Sequence, residues 1–164
     1  MVQNDIALIK LGGLVDTISE DPDLPVMPVC LPHPDHTDEP IQVKDFMVIG
    51  WGKSQNSDSI DDVLRQGVAT RFPQKLALPL FDRDACGVIF PGINSGQICA
   101  GGVQDQDSCD GDSGGPLVDQ VGVNGQMTLF GIVSAGSRVC GIGQPGIYTR
   151  VDHYVEWIRQ NLSD

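Results

Sequence analysis

Residues 109–117 read CDGDSGGPL, a stretch in which one serine lies among three glycines, two aspartates and a proline. A serine hydroxyl becomes a nucleophile at neutral pH only when a positioned base activates it. The residues after Ser113, GGPLVDQV, start a helix poorly and predict a strand. Taken alone, the stretch is compatible with a nucleophile or with a glycine-rich turn that carries an incidental serine.

The run from Gly111 to Gly115 also fits G-x-S-x-G, the nucleophile elbow of α/β-hydrolases. That elbow needs a strand before the serine and a helix after it, with the acid and the histidine further downstream. No helix is predicted directly after Ser113, and no alternation of strands and helices is visible along the chain. We therefore reject the elbow interpretation.

The rest of the chain predicts many short strands joined by tight turns, because its 164 residues include 20 glycines and 11 prolines between apolar runs. Residues 20–40 are rich in proline and predict an extended linker. At the end, Asp152 can cap a helix on which Val155, Ile158 and Leu162 share one face. The predicted class is all-β, with barrel closure to remove the edge strands. The strands are predicted at 5–11, 41–49, 64–72, 76–81, 97–100, 115–121, 127–134 and 146–151.

The chain is strongly acidic, with 10 Lys and Arg against 22 Asp and Glu and a net charge of −12. A nucleic-acid binder normally has a basic face, and an anionic membrane would repel this surface. The first apolar run carries Asp5 and Lys10, so it is too short and too charged for a signal peptide or a spanning segment. We expect neither a nucleic-acid partner nor a membrane partner.

The five cysteines contain no C-x-x-C pair, which argues against a zinc ribbon or a thioredoxin-like site. Their spacing fits two disulfides plus one leftover in an oxidising compartment, with five free thiols as the alternative. The acidic run DQDSCDGD (105–112) departs from the EF-hand pattern, since Cys109 occupies a ligand place. We therefore predict no metal.

CDGDSGGPL closely resembles the nucleophile loop of the trypsin/chymotrypsin family of serine endopeptidases. Six further blocks resemble the same family in the same order, and the motif style is similar to that of arthropod clip-domain proteases. The blocks are NDIALIKL (4–11), VMPVCLP (26–32), VIGWG (48–52), QICAGG (97–102), GIVSAG (131–136) and PGIYTRV (145–151).

The resemblance implies a chymotrypsin-like fold in which this chain is the carboxy-terminal portion. Residues 1–19 would be a remnant of the first barrel, containing its last strand. Residues 20–40 would link the barrels, 41–151 would form the second antiparallel β-barrel, and 152–164 would form the terminal helix.

The resemblance also implies the catalytic roles. Ser113 matches the nucleophile, and Asp5 matches the aspartate that orients the catalytic histidine. The backbone N–H groups of Gly111 and Ser113 would form the oxyanion hole. Asp112 matches the residue that pairs with the new amino terminus after zymogen cleavage.

The implied substrate pocket favours Arg or Lys, because Asp107 matches the residue at its base and a buried charge demands an opposite one. Ser108 would be a polar pocket residue, and Ser134 lies where the family pairs with the substrate. Gly136 and Gly146 match the small residues that keep such a pocket open.

By the same resemblance, Cys86 would pair with Cys99 and Cys109 with Cys140. Cys30 matches the cysteine that joins the catalytic domain to a propeptide or light chain. Its partner would therefore lie outside this sequence, in a missing amino-terminal barrel or a light chain.

The main departure from the family is the general base, a histidine that lies upstream of NDIAL, where this chain begins. His33 and His36 fall in the linker and His153 opens the terminal helix, so all three are expected at the surface. We thus expect a secreted, cofactor-free protease fragment that is inactive alone. Its partners would be substrates with Arg or Lys at the cleaved position, and protease inhibitors. The alternative is a non-catalytic homologue that acts as a binding or regulatory module.

Overall fold

The computed structural model describes residues 3–15, 27–33, 43–54, 68–121 and 126–162. Most of the predicted linker over 20–40, including His36, lies outside these ranges. So does much of the strand predicted over 64–72. No helix among the described residues is long and apolar enough to cross a membrane.

Six strands form one antiparallel sheet in the order β4-β1-β6-β7-β8-β5, and two short strands, β2 and β3, pair separately. The described elements are β1 (Asp45–Gly50), β2 (Lys53–Ser54), β3 (Val68–Ala69), β4 (Gln74–Pro79), α1 (Arg83–Ile89), β5 (Gln97–Gly101), β6 (Pro116–Val121), β7 (Gln126–Ala135), β8 (Pro145–Arg150) and α2 (Val151–Asn161).

The two outer strands of the sheet, β4 and β5, meet at one end. Leu80 forms a bridge with Ala100, and the Phe81 N–H donates to the Cys99 carbonyl at 2.9 Å. These contacts curl the sheet toward a barrel, which removes edges that would otherwise expose unpaired backbone groups. The all-β, chymotrypsin-like class with a carboxy-terminal helix is thereby confirmed.

The core lies inside this curled sheet. Phe46, Leu78, Leu117 and Tyr148 are at most 1% exposed, and they come from β1, β4, β6 and β8. In β1, buried Phe46 and Val48 alternate with exposed Asp45 and half-buried Met47, as expected for a strand with one face toward the core. A second cluster packs around the disulfide between Cys86 and Cys99.

Three local features differ from the sequence-based expectations. Residues 5–11 lie in no strand, because no strand among the described residues runs beside them to complete a ladder. A short helix, α1, was not predicted; Asp82 caps it by accepting from the Ala85 N–H at 2.8 Å. Asp152 is not the N-cap of α2, because the helix already begins at Val151; its carboxylate accepts from the Arg150 guanidinium at 2.7 and 2.6 Å and from the His153 N–H at 2.8 Å.

Candidate active site

Ser113 is exposed in a tight turn that β7 holds in place. The Gly114 N–H donates to the Val133 carbonyl at 2.9 Å, and the Val133 N–H donates to the Gly115 carbonyl at 2.9 Å. The Gly115 N–H closes the turn on the Asp112 carbonyl at 2.8 Å. Hydrogen bonds to β7 therefore fix the backbone around Ser113, and the serine side chain is exposed to solvent.

The glycines of the turn are required by its backbone. Gly111 has φ +98° and Gly114 has φ +80°, a region that side chains disfavour. A Cβ on Gly111 would also lie 3.2 Å from the Gly52 Cα. Within the described part of the chain, no protein group accepts from the Gly111 or Ser113 N–H, so both can donate to an incoming oxygen.

The Asp112 carboxylate points away from Ser113, toward the chain that follows β1. One oxygen accepts from the Gly52 N–H at 2.7 Å, and the other accepts from the Cys109 N–H at 3.0 Å. A Cβ at Gly50 or Gly52 would collide with this carboxylate. The two glycines of GWG (50–52) therefore leave the space that the Asp112 carboxylate occupies.

Strands β7 and β8 attach Asp5 to the curled six-stranded sheet (the barrel). Ser134 donates its hydroxyl to the Asp5 carboxylate at 2.7 Å, and Thr149 donates to the Asp5 carbonyl at 2.7 Å. A β-bulge between Val133 and Ala135 interrupts the β7–β8 register at Ser134. Such bulges re-aim a side chain beside a site.

Ser113 and Asp5 are thus linked through consecutive residues of one strand. Val133 holds the serine turn with its backbone, and Ser134 holds Asp5 with its side chain. Sequence reasoning placed Ser134 at the substrate but missed its hydrogen bond to Asp5. It missed Thr149 entirely, although a threonine between the apolar positions of β8 and Arg150 was a usable signal.

Next to Asp107 in the sequence, half-buried Ser108 pairs with a buried tyrosine of β8. Ser108 and Tyr148 share a hydrogen bond between their hydroxyls at 2.9 Å. Burial raises the pKa of Tyr148 above its ordinary value of 10.0, while the bond to Ser108 opposes that rise. Gly136 and Gly146 adjoin, since a Cβ on Gly136 would lie 3.8 Å from the Gly146 Cα.

Asp107 itself is half-buried and accepts from the Gly141 N–H at 3.3 Å. Burial raises the pKa of its carboxyl, and backbone hydrogen bonds from Gly141 and Ser108 partly offset that rise. A disulfide between Cys109 and Cys140 ties the two loops together. The carboxylate therefore has few protein donors and would gain from an incoming cation.

A cavity of about 350 Å³ lies behind the serine turn, and both Asp107 and Asp112 line it. Its walls combine apolar side chains of β1 and β4, Val48 and Leu76, with the disulfide between Cys109 and Cys140. The remaining lining residues are Gly50, Gly52, Lys53, Gln74, Lys75, Asp105 and Gly141.

No group among the described residues hydrogen-bonds to the Ser113 hydroxyl and could act as its base. His153 is exposed on α2, where its ring meets Tyr154 edge-on with the ring centroids 4.9 Å apart. His33 is also exposed, in the segment 27–33, and His36 lies outside the described ranges. In this part of the chain, β7 therefore brings Ser113 and Asp5 into one site without a histidine that contacts the Ser113 hydroxyl.

Comparison with known proteins identifies a trypsin family model that matches residues 1–158. Phenoloxidase-activating factor 3 of Holotrichia diomphalia is 41% identical over 98% of this chain and 42% of its own length. The serine protease grass of Drosophila melanogaster is 37% identical over 99% of this chain and 41% of its own length. The CLIP domain-containing serine protease HP8 of Bombyx mori is 36% identical over 98% and 41%. The chain spans about two fifths of the length of these curated relatives.

Proposed function

The chain belongs to the trypsin family of serine proteases, with insect clip-domain proteases among its relatives, and on this premise we propose that it is the carboxy-terminal part of a secreted endopeptidase. The enzyme would cleave proteins after Arg or Lys. One observation carries the proposal: Val133 and Ser134, adjacent on β7, hold the Ser113 turn and Asp5 respectively.

In the proposed reaction, the Ser113 hydroxyl attacks the scissile carbonyl carbon and its proton passes to a histidine supplied from outside these 164 residues. Asp5 orients that histidine and stabilises its protonated form. The carbonyl oxygen becomes an oxyanion that accepts from the Gly111 and Ser113 N–H groups. These two amides have no acceptor within the described residues, which leaves them ready for this role.

The preference for Arg or Lys rests on the environment of Asp107. Its carboxyl is half-buried and receives a hydrogen bond from Gly141 at 3.3 Å, so a guanidinium or ammonium group would replace lost hydration. The Ser108 hydroxyl, hydrogen-bonded to the buried Tyr148, would be a polar group of the pocket. Gly136 and Gly146 adjoin each other and carry no side chain that would obstruct a long substrate side chain.

Activation would use the cavity behind the serine turn. It offers apolar walls and the Asp112 carboxylate in one space, which suits a chain terminus that carries a positive amino group beside an aliphatic side chain. Pairing with Asp112 would then fix the loop that holds Gly111. This supports an assignment of Asp112 as the partner of the amino terminus made by proteolytic activation.

A larger protein is also favoured by the surface of the first two described segments. Large apolar side chains there are exposed without cover, as Ile9 at 84%, Leu14 at 104% and Met27 at 72% show. An apolar face of this kind marks an interaction site. We propose that it packs against a first barrel that carries the histidine, and that Cys30, whose thiol is free within the described residues, bonds to a further segment or light chain.

We propose that the protein acts outside the cell and that its substrate is another protein. One relative is named as a factor that activates phenoloxidase, so a protein substrate is proposed here as well. The two disulfides fit an oxidising compartment. Protease inhibitors of matching specificity would be the expected regulators.

The test compares this chain with the longer gene product. The 164-residue chain should not hydrolyse an arginyl ester, whereas the activated longer protein should hydrolyse it and spare a glutamyl ester. Ser113→Ala should lower its kcat by roughly 10³-fold or more. Ser95→Ala, at an exposed serine in the turn before β5, is the matched control and should retain activity.

A longer product without a histidine-bearing barrel would refute the peptidase proposal. It would favour a non-catalytic homologue that binds or regulates other proteins. The observation that favours this second candidate is the missing base beside Ser113 within the described residues. In that case Ser113→Ala would leave the biological activity of the longer protein unchanged.

A further inference from the structure

The backbone just before Asp5 is unusual. Asn4 has φ +55°, in the left-handed region that few residues other than glycine adopt, asparagine among them. The Ile6 N–H donates to the Asn4 carbonyl at 3.0 Å and closes a three-residue turn around Asp5. The direction of the Asp5 carboxylate therefore depends on the conformation of its neighbour.

The Asn4 side chain is held from the far end of the sequence. Tyr154, on α2, donates its hydroxyl to the Asn4 Oδ1 at 2.9 Å. The helix is fixed in rotation by buried Val151, Val155 and Ile158, so the tyrosine cannot swing freely. The hydroxyl thus reaches Asn4 from a rigid support.

Gly96 leaves the space that this hydroxyl uses. A Cβ at Gly96 would lie only 2.6 Å from the Tyr154 hydroxyl oxygen. The Arg150 N–H donates to the Gly96 carbonyl at 2.9 Å, which fixes this turn to the start of α2. The absence of a side chain at Gly96 is therefore part of the arrangement that aims Tyr154.

We propose that Tyr154 is a positioning residue for Asp5: its hydroxyl keeps Asn4 left-handed, and this turn carries the Asp5 carboxylate to Ser134. The three supports of residues 4 and 5 then come from β7, β8 and α2, through Ser134, Thr149 and Tyr154. Residues 5–11 form no strand of their own, so these bonds replace the ladder that would otherwise set their position. The catalytic consequence rests on the proposed function, but the positioning does not.

The first test measures amide hydrogen exchange by NMR on the full 164-residue chain. Tyr154→Phe removes the hydroxyl and keeps the ring, so the Ile6 amide should exchange about five- to tenfold faster, which matches the loss of one neutral hydrogen bond. The Phe90 amide, which donates to the Cys86 carbonyl at the carboxyl end of α1, should not change. Gln160→Ala, on the exposed face of α2, is the control and should change neither.

A second variant guards against loss of folding. Gly96→Ala retains Tyr154 but displaces its hydroxyl, and the same selective rise at Ile6 is expected. In an Asn4→Gly background, Tyr154→Phe should raise Ile6 exchange less than twofold, because glycine adopts the left-handed region without support.

Unchanged Ile6 exchange in both variants would overturn the proposal. An equal rise at Ile6 and Phe90 would also overturn it, since that outcome indicates a general loss of stability. In the activated longer protein, Tyr154→Phe should lower kcat about tenfold and leave KM within twofold, as expected for misplacement of a catalytic group. If the unmodified longer protein hydrolyses nothing, the proposed function fails, and the exchange experiment still decides the role of Tyr154.

Discussion

The barrel and the amino-terminal segment 3–15 hold the two halves of the candidate site by different means. The barrel residue Leu78 is 0% exposed, whereas Leu14 in the segment is 104% exposed. Ser113 depends on strands that bury a shared core. Asp5 depends on hydrogen bonds from single side chains. Packing therefore supports Ser113, whereas a few polar contacts support Asp5.

This difference has an energetic meaning. Burial of a leucine side chain stabilises a fold by roughly 1.5–3 kcal/mol, but a typical hydrogen bond contributes only about 1 kcal/mol. The barrel should therefore unfold as one cooperative unit, while residues 3–15 can detach at far lower cost. The apolar side chains of the segment contribute little until another surface covers them.

The largest expected effect compares two leucines. Leu78→Ala leaves a cavity in the core and should lower the free energy of unfolding by about 3–5 kcal/mol. Leu14→Ala makes the same chemical change in solvent and should alter it by less than about 0.5 kcal/mol. Urea titration of both variants measures the difference. Equal losses would show that segment 3–15 is packed in solution, and the comparison would be wrong.

The second prediction compares the stability lost on removing a disulfide with that lost on removing a free thiol. The bond between Cys109 and Cys140 closes a sequence separation of 31 residues, so replacement of both by alanine should cost roughly 3–4 kcal/mol in the loop-entropy model. Cys30→Ala removes a free thiol in the segment 27–33. Its cost should stay below about 1 kcal/mol in this chain.

Thermal unfolding under non-reducing conditions tests this pair. The double variant should unfold at a markedly lower temperature, and addition of a reductant should then change it less than it changes the unmodified protein. A larger loss from Cys30→Ala than from the double variant would reverse the assignment of stability to the barrel.

Much of the barrel could be read from the sequence, because its strands are short, largely apolar runs and its turns carry glycine and proline. The pairing of Cys86 with Cys99 and of Cys109 with Cys140 followed from family resemblance and is present in the structure. Helix α1 was not predicted because its seven residues, RDACGVI, include a glycine and are too few to show a helical spacing of apolar residues. Asp152 was misassigned because the helix begins one residue earlier, at Val151, so that Asp152 lies inside its first turn.

Less of the candidate site than of the barrel could be predicted from the sequence. Family resemblance indicated Ser113, Asp5 and Asp107 one by one, but no local pattern encodes contacts between residues 4 and 154 or between 5 and 134. Those contacts arise only after β7, β8 and α2 have packed. The supports of Asp5 could not be derived from spacing, since they join positions 129 or more residues apart.

The smallest predicted effect is the pH dependence that Asp107 adds to the barrel. Burial raises the pKa of its folded carboxyl above the ordinary value of 3.8, so the folded protein retains a proton that the unfolded chain has released. Between these two pKa values the unfolded state binds fewer protons, and the free energy of unfolding must fall as pH rises. The stabilisation is complete below pH 3.8 and is lost as pH rises through the folded pKa.

Asp107→Asn is neutral at every pH and should lack this fall. Urea titrations between about pH 3 and pH 7 should therefore show the unmodified protein losing stability relative to Asp107→Asn as pH rises. Asp105→Asn removes an exposed negative charge two residues away, at a position with φ +62° that asparagine tolerates. Subtracting its effect isolates the consequence of burial from that of net charge. A relative gain of stability with rising pH would mean that hydrogen bonds from Gly141 and Ser108 outweigh burial, and Asp107 would then lie in a pocket already satisfied without a cation.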